Sequence, residues 1–392
     1  MARLLLCCDN RIYAYGGRFY FQSPDACDFF YRYLRVFERI RIVARCENEQ
    51  RLGDSRVLID DNRIEYSPLP LFHGPREYIN VYKSIEKEIR SVVNDCDAAI
   101  LRLPNPINDR ILPRIISSKI PYAVEIVACA RDIAKTDHSL MHRLIWRWED
   151  FQIRKACYNA DGVSCVTRHY LQQYYYSKKK DHFDSYYSSL SIEEDFFMGP
   201  KQLKEGHVFI ISHVANQVYL NSIKGHKEMI DMLVYIKHRN DIKMRFVGAS
   251  YYGGVEEIIR YAEEKGVRDM IEFTGFLDRI QLKRLYAETD LIIFPSRSEG
   301  LPRVIIEAMA AGIPCVGSPV GGIPELLPDR MLCDCFNPGA LANKVNRLLG
   351  DASLYNEISD YSFKKSQEYK AQVLQLRRDN FYSKLKSLVK TN

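Results

Sequence analysis

The chain has 392 residues, 46% hydrophobic and 27% charged, enough to bury the cores of two domains of ordinary size. No apolar run approaches the ~18 residues needed to cross a bilayer, and Leu4 to Cys8 is too short for the core of a signal peptide. The formal charge of +6 is modest and spread over both halves, with no basic arm suited to nucleic acid; the 11 scattered cysteines lack zinc or CxxC spacing and read as reduced thiols of a cytoplasmic protein.

In the N-terminal half, Leu4 to Cys8, Ile40 to Ala44, Ala98 to Leu103, Tyr122 to Val127 and Gly162 to Val166 are predicted strands of a parallel sheet. Two stretches, Leu144-Ile145-Trp146-Arg147-Trp148 and Tyr174-Tyr175-Tyr176-Ser177-Lys178-Lys179-Lys180, combine aromatic and basic groups that suit a membrane surface. Aromatic residues at helical spacing are also what a core helix would show, and a lysine run is also an ordinary solvated surface. A polar, aromatic stretch from Phe183 to Glu205 reads as an interdomain linker, with Gly199-Pro200 at its break. The predicted domains are therefore 1–199 and 200–369, with a terminal segment 370–392.

In the C-terminal half, β-rich runs alternate with helical patterns: His207 to Ser212, Ile242 to Gly248, Met270 to Gly275, Leu291 to Pro295 and Pro314 to Gly317. This alternation predicts a parallel sheet with helices on both faces. Asp278 three residues before Gln281, and Asn337 followed by Pro338 with Gly350 after the last turn, mark helix ends. From Tyr369 to Val389 an amphipathic helix needs a surface to pack against.

The segment PSRSEGLPRVIIEAMAAGIPCVGSPVGGIPELL, Pro295 to Leu327, carries the chemistry. A helix predicted to start at Gly300-Leu301-Pro302, beyond the carboxyl end of a parallel strand, offers free N–H groups and a positive dipole to an anion. Glu299 precedes that helix, and Glu307 lies about five residues into it, roughly 7 Å along the axis. A carboxylate beside a diphosphate is repelled by it, so the two acids are suited to accept hydrogen bonds from neutral sugar hydroxyls on either side of the anion.

The segment resembles the donor-site signature of family 4 glycosyltransferases, retaining enzymes of the GT-B architecture, in which two glutamates are separated by seven residues; Glu299 and Glu307 fit it, and SPVGGIPELL matches as well. The resemblance implies an α/β fold of two facing Rossmann-like domains with parallel sheets, the C-terminal helix crossing back to the first, acceptor-binding domain. It implies that Glu299 contacts the transferred sugar, Glu307 the ribose, and the N–H groups of Gly300 and Leu301 the diphosphate. Lys224-Gly225 is similar to the family's Lys-Gly pair, whose ammonium neutralises the leaving diphosphate. Glu299 and Lys224 are thus the implied catalytic residues. Phe273-Thr274-Gly275-Phe276-Leu277 resembles the segment that cups the nucleobase, and Gly16-Gly17 in Tyr15-Gly16-Gly17-Arg18 the glycine loop that approaches donor phosphate and acceptor. Two departures stand out: no arginine lies between Ser212 and Lys224, and no histidine in Val124 to Asp132, so neither a second phosphate cation nor a catalytic histidine is assigned.

The implied reaction is retaining transfer of a hexose-type sugar from a nucleotide-diphosphate-sugar to a glycan or lipid-linked oligosaccharide, in cell-surface polysaccharide biosynthesis. No cofactor and no metal is implied, because Lys224 and the helix N–H groups stabilise the charge, and the sequence has no HExxH, GxGxxG or GxxxxGK[ST] motif. Localisation is expected to be cytoplasmic, at the inner face of a membrane, with no nucleic-acid partner. A nucleotide-sugar epimerase of the same architecture and a non-catalytic carbohydrate-binding relative are the alternatives. A glycosidase fits less well, since its paired carboxylates flank a single bond.

Overall fold

The computed structural model describes residues 2–137, 139–204, 206–236, 241–251 and 253–390. The chain divides into two compact units, Met1–Tyr187 with Gln375–Asn392, and Ser188–Leu374. The division falls earlier than the break expected at 199/200, because the residues after Tyr187 pack with the second unit. The Met198 N–H donates to the Ala310 carbonyl at 3.1 Å, the Phe196 ring meets Tyr286 edge-on at 5.9 Å, and Ile192 bridges to Lys370. The stretch read as a linker is therefore structured: Phe183–Tyr186 is a strand of the first sheet and the rest lies on the second unit, while Glu205 falls outside the described residues.

The first unit contains β1 (Arg3–Cys7), β2 (Ile12–Tyr15), β3 (Arg18–Phe21), β4 (Arg39–Asn48), β5 (Val57–Leu58), β6 (Ile64–Pro70), β7 (Ala98–Leu103), β8 (Tyr122–Ile126), β9 (Gly162–Cys165) and β10 (Phe183–Tyr186). Its helices are α1 (Pro24–Tyr31), α2 (Gly74–Glu88), α3 (Asn108–Ser118), α4 (Ala130–Thr136) and α5 (Leu140–Tyr158). The sheet order is β10-β9-β8-β7-β1-β4-β2-β3-β5, with β6 also paired to β4. The five predicted strands are its parallel centre, β9-β8-β7-β1-β4. Leu4, Leu5, Leu6 and Cys7 are all fully buried, as are Ala98 to Leu101, which is why both strands read as continuous apolar runs. The strands that the sequence did not reveal are peripheral: β2 and β3 form an antiparallel hairpin turning on Gly16-Gly17, and β5, β6 and β10 complete the edges.

The second unit contains β11 (Phe209–Gln217), β12 (Ile242–Ala249), β13 (Ile271–Gly275), β14 (Leu291–Phe294) and β15 (Cys315–Gly317), with α6 (His226–Ile236), α7 (Gly254–Glu264), α8 (Arg279–Glu288), α9 (Arg303–Ala310), α10 (Pro338–Gly350) and α11 (Ala352–Ser366). All pairings are parallel, in the order β13-β12-β11-β14-β15. Asp278 and Gln281 form a reciprocal capping box on α8, and the Asn337 side chain caps α10 by accepting from the Ala340 N–H. Gly350 is the last residue of α10 rather than the one beyond it, since Asp351 serves at once as its end and as the cap of α11. From β11 the chain proceeds to β12 and β13 on one side and to β14 and β15 on the other. The topological switch point, where parallel α/β sheets open a crevice at the carboxyl ends of their strands, therefore lies between β11 and β14.

The last helix, α12 (Ala371–Ser387), returns to the first unit. Its Tyr382 hydroxyl donates to Glu125 Oε1 at 2.8 Å in the middle of β8, and Tyr187 donates to the same oxygen at 2.7 Å. On the other oxygen, Tyr33 donates at 2.8 Å, with Arg102 at 3.0 Å and Arg32 at 3.5 Å. Burial alone would raise this carboxyl, but the two guanidinium groups and the tyrosine hydroxyls hold it down at about 2.

Candidate functional site

Three loops at the carboxyl ends of β11, β14 and β15 meet at the switch point of the second unit. The loop after β14 is clamped from both sides: the Arg297 N–H donates to the Ile223 carbonyl at 3.0 Å, and the Gly322 N–H donates to the Gly300 carbonyl at 2.7 Å. Close approach dictates glycine at two of the contacts. A Cβ on Gly225 would stand 2.6 Å from the Pro295 carbonyl oxygen, and one on Gly321 would collide with the Glu299 carbonyl. Both glycines have positive φ, +74° and +57°, which a side chain would strain further.

This clamping sets Lys224 beside Glu299. The two are 75 residues apart in sequence, yet the Lys224 ammonium forms an ion pair with Glu299 Oε1, and it lies 5.4 Å from the centroid of the Phe294 ring. The pair is neither buried nor fully solvated, with 29% of the lysine and 12% of the glutamate side chain exposed. A partly exposed ammonium held by one carboxylate can exchange that partner for an incoming anion.

Helix α9 begins at Arg303, with Pro302 as N-cap, rather than at Gly300 as the sequence led us to expect. Gly300 and Leu301 are instead in the loop that enters the helix, because the Gly300 carbonyl is committed to Gly322 and Pro302 takes an extended conformation. Pro302 supplies no side-chain cap, which leaves first-turn N–H groups for water or a ligand. Glu307 is the fifth residue of α9, and the Tyr286 hydroxyl donates to its Oε2 at 3.0 Å. Burial pushes the Glu307 carboxyl above its ordinary value, and Arg303 and the Tyr286 hydrogen bond only partly offset this. Glu299, Gly300, Leu301, Glu307 and Lys224 therefore share one edge of one sheet.

The remaining expected residues lie elsewhere. Gly275 ends β13, two strands from β11 along the sheet, and Phe276 beyond it is 78% exposed, an aromatic ring without a packing role. Gly16 and Gly17 belong to the first unit, where the hairpin accounts for both. A cavity of about 400 Å³, lined by Tyr31, Arg32, Arg35, Arg63 and Gln375 among others, also belongs to the first unit and includes none of the expected site residues.

Sequence reading missed four residues around the site. Tyr286, fully buried on α8, fixes Glu307 and belongs to no motif. Arg297 anchors the loop after β14 by pairing with Glu228 at 3.1 Å and stacking 3.8 Å from the Phe336 ring centroid. Behind Lys224, the buried rings of His213 and His226 meet edge-on at 4.8 Å, and burial depresses both, to about 4 and about 2, so they are neutral packing groups at neutral pH.

Comparison with known proteins bears on this geometry. Residues 202–365 match the family Glycosyl transferases group 1. The chain is 23% identical over 364 residues to Protein CapJ of Staphylococcus aureus, covering 91% of this chain and 89% of that protein. Among solved structures it is similar to a sucrose-phosphate synthase from Thermosynechococcus elongatus, with a TM-score of 0.71 at 16% identity over 99% of this chain and 100% of that one. It is similar also to Anabaena HepE in complex with UDP, with a TM-score of 0.67 at 17% identity over 96% and 98% of the two chains.

Proposed function

We propose that this chain, which has the GT-B fold and matches the family Glycosyl transferases group 1 over residues 202–365, transfers a sugar from a nucleotide-diphosphate-sugar with retention of anomeric configuration. The observation that carries this reading is the Lys224–Glu299 pair at the switch point, flanked by an uncapped helix start and by Glu307. The HepE structure with UDP supports a nucleoside diphosphate as the bound group.

In this reading the diphosphate displaces Glu299 from Lys224, whose ammonium, together with the N–H groups of Gly300, Leu301 and the first turn of α9, balances the charge that develops on the leaving group. Glu299, released, accepts a hydrogen bond from a hydroxyl of the transferred sugar. Glu307, oriented by Tyr286, accepts from the ribose, and Phe276 with the backbone at Gly275 faces the base. The glycosidic carbon–oxygen bond to phosphate breaks as the acceptor oxygen attacks from the same face, and a leaving phosphate oxygen takes the acceptor's proton. No metal enters these steps. The acceptor is a glycan or a lipid-linked oligosaccharide of a cell-surface polysaccharide, held by the first unit.

The test is incubation of the purified protein with a panel of nucleotide-sugars, following nucleoside diphosphate release and assigning the product anomer by NMR. Release of nucleoside diphosphate with retained configuration is expected; an inverted product, or interconversion of the sugar without transfer or hydrolysis, would overturn the reading.

A further inference from the structure

Resting on the lipid-linked acceptor proposed above, we infer that the outward face of α5 is a docking surface for a bilayer that carries anionic lipid. Helix α5 runs from Leu140 to Tyr158 and is apolar on two sides. Its inner side buries Ile153, Ala156 and Cys157 against the first unit. Its outer side, which on an ordinary surface helix would be polar, instead exposes Leu140, Met141, Leu144, Trp148, Phe151 and Tyr158, with Leu140 71% and Trp148 56% exposed. At 3.6 residues per turn these six fall within an arc of about 100°, so they form one stripe along the whole helix rather than scattered exceptions.

Basic groups border the stripe. Arg147 and Arg154 are exposed beside it, Lys155 is exposed within its arc between Phe151 and Tyr158, and Lys178 lies 5.6 Å from the Tyr158 ring centroid at the far end. Both acids of the helix are turned inward. Glu149 accepts the Asn105 N–H at 2.9 Å, and Asp150 accepts the Tyr175 hydroxyl at 2.8 Å while pairing with Arg154 at 3.0 Å. Apolar side chains including a tryptophan, bordered by basic groups and cleared of acidic ones, match the boundary between acyl chains and anionic headgroups. No helix among the described residues is long and apolar enough to cross a membrane, so contact of this kind would be peripheral.

The structure also revises which residues take part. Of the two stretches singled out in the sequence, Ile145 and Trp146 are half-buried on the flank of α5, and Tyr175 is fully buried, holding Asp150. The stripe begins before the first stretch and extends past it.

The experiment is cosedimentation of the full chain with phosphatidylcholine vesicles, with and without phosphatidylglycerol, for the parent, Leu144→Ser/Trp148→Ser and Arg147→Glu. The parent is expected to pellet with phosphatidylglycerol vesicles and to be released by salt. The double variant should bind roughly tenfold or more weakly, since two large apolar side chains no longer leave water, and Arg147→Glu more weakly than the parent. Circular dichroism and hydrolysis of soluble donor, unchanged in the variants, exclude misfolding. A parent that stays in the supernatant, binding that ignores anionic lipid, or a double variant that binds as tightly as the parent would overturn the docking surface. So would a parent dimer that the double variant dissolves, which would assign the stripe to a second copy. Donor turnover that persists when vesicle binding fails leaves the glycosyltransferase reading standing.

Discussion

Glu125 in the first unit and Glu299 in the second are both carboxylates paired with cations, one within a parallel sheet and one beyond the end of a parallel strand, and their surroundings differ in kind. Glu125 is 2% exposed and receives three tyrosine hydroxyls and two guanidinium groups, so each oxygen has partners and a ligand has no way in. Glu299 sits at the strand ends, partly exposed and held by one flexible ammonium. A saturated carboxylate fixes structure, here by fastening α12 and the end of β10 to β8. A sparsely held one beside an uncapped helix start is available to a substrate.

The contrast can be broken most forcefully at Glu125. Glu125→Gln leaves Arg32 and Arg102 buried without their counter-charge and should cost about 3–5 kcal/mol of stability, measured by urea unfolding. The same group gives a pH dependence. Its folded value of about 2 lies below the ordinary 4.5, so its stabilisation is complete above that ordinary value and is lost as the pH falls from about 4.5 towards 2. An acid transition in the parent that is unchanged in the variant would remove Glu125 from this role. In the second unit, Lys224→Met should lower turnover by about 10²- to 10³-fold while leaving the unfolding midpoint near that of the parent, because the loss falls on the departing diphosphate. The smallest effect is expected from Glu307→Ala, which should weaken nucleoside diphosphate binding by about 1–3 kcal/mol, read by calorimetry. Equal loss of binding and stability in that variant would make Glu307 a packing residue instead.

The two units also differ in how much of them the sequence made visible. In the second, the five strands, the caps at Asp278 and Asn337, and the loops around Lys224 and Glu299 are each encoded within a few residues, and local signals suffice. The central strands of the first were equally legible, since burial on both faces leaves continuous apolar runs such as Leu4 to Cys7. The rest of the first unit was not. The hairpin β2–β3 is short and half-exposed with no alternation to betray it, and Phe183–Tyr186 reads as a linker because its polar residues face the edge of the sheet. The Glu125 cluster draws its partners from Arg32 to Tyr382, and the Tyr286–Glu307 bond joins two helices without a shared motif; contacts made only by tertiary packing leave no local pattern. The exposed stripe of α5 was half seen, because composition marks aromatic and basic residues but not which of them face outward.

The central claim, that Glu299 serves the transferred sugar rather than the fold, is tested most directly by Glu299→Ala, assayed for sugar transfer and for nucleoside diphosphate binding in the same preparation. Transfer should be abolished while binding and the unfolding transition persist. Transfer at the parent's rate, with unchanged kinetics, would contradict it.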